Sequence, residues 1–277
     1  MKGLILLSIV ALTAALFSIP VVAQTGEDYH PFLTDKFNIG VGLFWPKKSI
    51  NVRVDGTLPE EEFDFDEALG MDDYETTPSL MGRWRFGEKW SVFGQYWSTD
   101  TTNGAVLTED REWEDVVFKE GTFAKGGVKS KLARVFFGRT FSTGPQHEFG
   151  AGAGLHWMEV DIFIEGEIII DDDSTGFHRG SVDASFPLPN IGAWYFYSWS
   201  PKWLFQARLD WLDVSIGDYS GSLWNAQTGI HWQTFKNIGF GLYYNGFTLD
   251  LDVDKGDWHG KAEFTQRGPY LALTATW

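Results

Sequence analysis

The sequence predicts an all-β chain, a transmembrane, antiparallel, up-and-down β-barrel that follows a cleaved signal peptide. Three observations carry this. Short segments alternate apolar and polar residues with a period of two, often with an aromatic at each end. Tight turns alternate with long polar segments, the asymmetry of barrels with short turns on one side of a membrane and long loops on the other. The chain ends on Trp277, with Ala275, Leu273 and Leu271 at alternate places behind it.

Composition narrows the class. The 277 residues suit one domain, read as residues 24–277 after a targeting segment at 1–23. In that leader Lys2 is the charged start, Leu4 to Phe17 the apolar stretch and Val21-Val-Ala23 the cleavage signal. No later run reaches the ~20 apolar residues of a spanning helix. Aromatics make up 17% of the chain, with 14 Trp and 23 Phe, and they cluster near strand ends as interfacial girdles do. A formal net charge of −16 excludes a phosphate-backbone partner, so no nucleic acid is expected. Without cysteine there is neither a disulfide framework nor a lipid-attachment thiol.

Taken in order, the first strand starts at Lys36 and alternates through Phe37, Ile39, Val41, Leu43 and Trp45. Pro46 then either bulges one long strand, resumed at Ile50–Val54, or opens a hairpin. Later strands are expected near 79–86, 90–100, 128–141, 147–161, 185–199, 203–216, 223–235, 238–251 and 260–277. Phe149–Trp157, Trp203–Leu212 and Trp224–Phe235 alternate most clearly. Tight turns fall at Phe86–Trp90, Trp199–Trp203 and Phe235–Ile238, with Ser142–His147 slightly longer. Long loops are expected at 56–78, 100–127, 161–183, 217–222 and 252–260. The count is ten strands; a hairpin at Pro46 and another across 106–119 would make twelve, and eight is the remaining even number considered.

Candidate chemistry lies in loops and lumen. Pro59–Glu75 carries nine carboxylates and no Lys or Arg, read as a solvated loop with an apolar anchor or as a cation site or lid. Asp171, Asp173 and Thr175, followed by Gly176, echo the start of a calcium loop, but Val182 stands where the closing Glu belongs. Asp250, Asp252 and Asp254 share one strand face, as in a strand rising from the membrane into water. Arg83, Arg85, Arg134, Glu148, His156, Arg208, Asp210, Gln227 and His231 are assigned to the lumen. Ions there must be paired or hydrated, and in a narrow lumen they would fill it. His147, His156, His178, His231 and His259 form no recognisable Ser-His motif, and no nucleophile elbow, zinc-protease helix or phosphate loop occurs. His178 with Asp171–Asp173 in one outer loop is the enzyme lead.

These features resemble small outer-membrane barrels of Gram-negative bacteria, broadly the OmpW-type and OmpA-type group. Phe63–Gly70, Arg83-Trp-Arg-Phe86 and Pro187–Gly192 look like barrels of this general kind, and the last strand resembles their terminal assembly signal. The resemblance implies an outer-membrane location, contact with membrane lipid and lipopolysaccharide, and delivery by the barrel assembly machinery through Leu271, Leu273, Ala275 and Trp277. It implies a non-enzymatic role, structural or as a narrow conduit, and no cofactor. The alternatives are an outer-leaflet lipid-modifying enzyme and a surface-binding protein acting through acidic loops. Oligomeric state is left open.

Overall fold

A computed structural model describes residues 29–54, 63–64, 76–113, 116–171, 174–216, 219–255 and 258–277. After a four-residue helix, α1 (Pro31–Thr34), come β1 (Phe37–Phe44), β2 (Lys47–Val54), β3 (Phe63–Asp64), β4 (Thr77–Phe86), β5 (Trp90–Val106), β6 (Arg111–Trp113) and β7 (Val116–Phe118). Seven more complete the chain: β8 (Phe123–Thr143), β9 (His147–Asp171), β10 (Ser174–Ser200), β11 (Trp203–Ile216), β12 (Tyr219–Gln233), β13 (Ile238–Lys255) and β14 (Trp258–Thr276). The wall runs β1-β4-β5-β8-β9-β10-β11-β12-β13-β14, ten antiparallel strands, and closes because β14 pairs with β1. Closure leaves no unpaired ladder edge in lipid, which is what a spanning sheet requires.

Pro46 opens no hairpin. Phe44 faces Tyr270 and Lys47 faces Arg267, so β1 and β2 hold the same register along β14 and form one strand interrupted at Trp45-Pro46. Proline lacks the N–H that a ladder needs, and Gly268 lies opposite, where a Cβ would sit 1.9 Å from the Trp45 carbonyl oxygen. A hairpin across 106–119, part of the twelve-strand alternative, is present as β6–β7, but it pairs with β9 and stays outside the ten-stranded wall.

The strands are far longer than the sequence suggests. Of 161–183, expected as a loop, residues 161–171 and 174–183 belong to β9 and β10, which pair from Asp171–Ser174 to His147–Tyr197. Most of 100–127 is strand as well, and the loops expected at 217–222 and 252–260 shrink around β12, β13 and β14. The acidic segment 59–75 lies outside the described residues except for Phe63-Asp64, which pairs with Asn51-Val52.

Two aromatic levels bracket the lipid-facing band. Phe149 and Trp157, Trp203 and Trp211, and Trp224 and Trp232 stand eight residues apart on their strands, ~26 Å of strand, which at the tilt of such barrels is about 20 Å of height, within the span of their apolar band. Between them Leu155, Leu209, Ile230, Leu242, Leu271 and Leu273 are exposed. At the short-turn end, the periplasmic end by the usual asymmetry, Trp277–Phe37–Trp84–Phe86–Phe137–Trp90 and Trp199–Trp203–Trp232–Phe240 form runs of neighbouring rings.

Candidate functional site

Inside the barrel, side chains from non-adjacent strands meet across the lumen. At the periplasmic mouth the N-terminal segment turns inward. Pro31 starts α1, and His30 caps it, its Nδ1 accepting from the Phe32 N–H at 3.1 Å. With Nδ1 an acceptor, the proton of a neutral His30 lies on Nε2, 3.2 Å from His231 Nδ1; His231 Nε2 then donates to Thr274 Oγ1 at 2.6 Å. Phe32 and Leu33 bury themselves among Phe93, Phe136, Trp194, Phe196 and Leu204. Arg85 donates to the Leu33 carbonyl and Arg83 to that of Phe32 at 3.3 Å, so two cations satisfy the carbonyl end of the short helix.

Above α1 lies the first charge cluster. Glu148 accepts from Arg83, from Arg85 at 2.6 Å, from Trp194 Nε1 at 2.8 Å and from Thr140 at 3.3 Å. The Arg83 guanidinium also donates to Ser91 and lies near the rings of Phe32, Phe93 and Phe196. Room for Trp194 comes from Gly150, where a Cβ would lie 2.1 Å from the indole.

The second cluster sits mid-barrel. Arg134 grips Asp210 with both ends of its fork, at 2.6 and 2.7 Å, and neither side chain is exposed. Asn225 Nδ2 adds a third bond to Asp210 at 3.3 Å. His156 bridges Asn190 Oδ1 and Asn225 Nδ2, each at 3.0 Å. Arg208 reaches across to Gln95 Oε1 at 2.6 Å, and Gln206 donates to Gln227 Oε1 at 2.9 Å. Arg83, Arg85 and Glu148 thus make up the first cluster, Arg134, His156, Arg208, Asp210 and Gln227 lie at the level of the second, and His231 meets His30. Sequence reading missed the second half of that contact, α1 itself, whose only signal was an apolar pair behind a proline at 31–33.

Higher still the interior turns apolar. Trp97, Leu132, Met158, Leu188, Leu223, Phe247, Leu249 and Phe264 form the main cluster, and Trp97 meets Phe247 edge to face across the barrel. The same strands then carry charge outside: Lys131 pairs Glu159 at 2.8 Å, and Arg179 pairs Glu165 at 2.9 Å.

Of the remaining candidates, Asp173 lies outside the described residues; Asp171 ends β9 and Thr175 lies in β10. His178 also lies in β10, its ring 6.3 Å from that of Phe118. Ser142 Oγ stands 3.0 Å from His147 Nε2 across the exposed Ser142–His147 turn, and among the described residues no carboxylate is bonded to His147. Asp250 accepts from Ser222 at 3.0 Å and, with Asp213, Asp252 and Lys261, lines an open cleft of about 270 Å³. Leu271, Leu273 and Trp277 are exposed on the wall, and the Trp277 and Phe37 backbones exchange hydrogen bonds at 2.8 and 3.1 Å, sealing the barrel.

No family model matches the sequence, and no curated protein matches it. Among solved structures, the outer membrane protease OmpT of Escherichia coli superposes with a TM-score of 0.60 at 11% identity, over 92% of this chain and 100% of that one. The chain has the fold of an outer-membrane β-barrel. At that identity the likeness extends to the fold and no further. The toluene transporter TodX of Pseudomonas putida covers 95% of this chain and 93% of its own at 10% identity, but its TM-score of 0.36 is too low to carry anything.

Proposed function

We propose that this outer-membrane barrel is non-enzymatic and structural, non-conducting in its resting state, and serves to hold a tall β wall above the bilayer. One observation carries the reading: the lumen is occupied at successive levels by α1, two ion-pair clusters and an apolar core. A conduit needs a continuous hydrated path, and these layers fill successive levels of the lumen with side chains that meet across it. The buried histidines support the same reading. His30, His156 and His231 are each bonded to side-chain amides, hydroxyls or one another, and among the described residues none of them lies between a hydroxyl and a carboxylate. On this reading the partners are membrane lipid, lipopolysaccharide and the barrel assembly machinery.

Planar-bilayer recording of the purified, heat-modifiable protein tests it. No unitary conductance steps are expected. Reproducible steps would turn the reading to a narrow conduit, and altered lipid species in overexpressing cells would turn it to a lipid-modifying enzyme.

A further inference from the structure

The two arginines around Asp210 share a single carboxylate. Arg134 takes both oxygens, and Asn225 adds to one of them. Arg208 Nε is left 4.0 Å from Asp210 Oδ2, beyond hydrogen-bond reach, so this mid-lumen cluster carries one surplus positive charge. Three buried donors around it have no acceptor: Arg208 Nε, Arg134 Nη1 and Gln227 Nε2. Gln227 is the direct cross-strand neighbour of Arg208, and both guanidiniums flank Asp210.

A buried guanidinium that shares its only nearby carboxylate with a second arginine is under-neutralised, and the orphaned N–H groups add to that cost. Water can serve a neutral donor, but it does not neutralise a charge. The guanidinium fork matches planar and tetrahedral oxyanions, and Gln227 Nε2 supplies a neutral third donor. Apolar clusters lie on both sides of this level, one of them containing Phe32 and Leu33 of α1, so the orphaned donors are shielded from bulk water. We propose that the cluster formed by Arg208, Arg134 and Gln227 is a binding site for one small oxyanion, of phosphate or carboxylate type, enclosed as the barrel folds.

The test refolds the mature chain in detergent with inorganic phosphate, with acetate, or with chloride alone at matched ionic strength, then desalts it. One retained phosphate or acetate per chain is expected, with a higher thermal midpoint than in chloride. Arg208→Gln should lower retention at least about tenfold, the scale of a lost charge-assisted bond. Gln227→Leu, which leaves every charge in place, should weaken it less. Retention of phosphate alone or acetate alone identifies which oxyanion the site takes. Equal midpoints in all three salts with nothing retained, or full retention by Arg208→Gln, overturns the proposal. If Arg208→Gln does not refold, as judged by heat-modifiable migration, Gln227→Leu and Arg208→Lys decide. Wild-type retention in both of those variants also overturns it.

Discussion

Asp210 shows how much one buried carboxylate can organise. It accepts two bonds from Arg134 and one from Asn225, and it is the anion nearest Arg208. Removing a single partner of a buried pair strands the other charge. Asp210→Ala should therefore destabilise the barrel by about 3–5 kcal/mol in a urea refolding titration, because two guanidiniums lose their carboxylate. That magnitude is for chloride alone; in phosphate or acetate an oxyanion held at Arg208 should offset part of it, and a loss below about 1 kcal/mol in chloride would mean that the arginines do not depend on Asp210.

At the scale of elements, α1 and β14 invite different tests. α1 is too short to be stable alone, so its position rests on Phe32, Leu33 and the His30 contact. Burial, and next the neighbouring His231, holds His30 down at about 3, against 6.5 when free. A base with a depressed folded value supports docking fully above the free value and loses that support as pH falls from 6.5 towards 3. Arg83 and Arg85 also face this segment, through the Phe32 and Leu33 carbonyls, with their charge met by Glu148. Limited proteolysis should cut the 29–35 segment faster at pH 5 than at pH 7.5. Phe32→Ala with Leu33→Ala should make it labile at both values, and a pH-independent rate in the wild type would rule out this coupling.

β14 closes the wall through backbone bonds between Trp277 and Phe37, and their rings stack at 5.5 Å. Deleting Trp277 should lower the outer-membrane fraction and leave periplasmic aggregate, measured by membrane fractionation. Wild-type levels of the truncated chain in the membrane would show that closure does without it.

For the whole molecule, the boundary between lipid and water is written on the outer face. Ile230 is exposed between the aromatic levels, whereas Asp252 is exposed beyond them on a neighbouring strand. Ile230→Arg should cost about 1–3 kcal/mol in a refolding titration, because a charge inside the apolar band, short of its midplane, is poorly solvated. Asp252→Arg should stay within about 0.5 kcal/mol, as surface changes usually do. Equal losses would place the bilayer elsewhere on the wall.

Period-two alternation by itself determined the barrel, the inward and outward faces of Trp203–Leu212 and Trp224–Phe235, and the lumen assignment of Arg134, Asp210 and His231. The reason is that each strand residue's face follows from parity alone. The strand ends escaped the same reasoning. On β9 the apolar residues are odd-numbered and outward up to Trp157, then even-numbered and inward at Met158, Ile162 and Ile164. The strand leaves lipid there, so its outer face turns polar and its inner face becomes an ordinary water-shielded core. In the sequence that reversal of phase looks like the end of a strand and the start of a loop. Partners across the lumen were out of reach for a different reason. Arg134 and Asp210 lie 76 residues apart on strands that are not neighbours, and only the closure of the wall brings them to 2.6 Å.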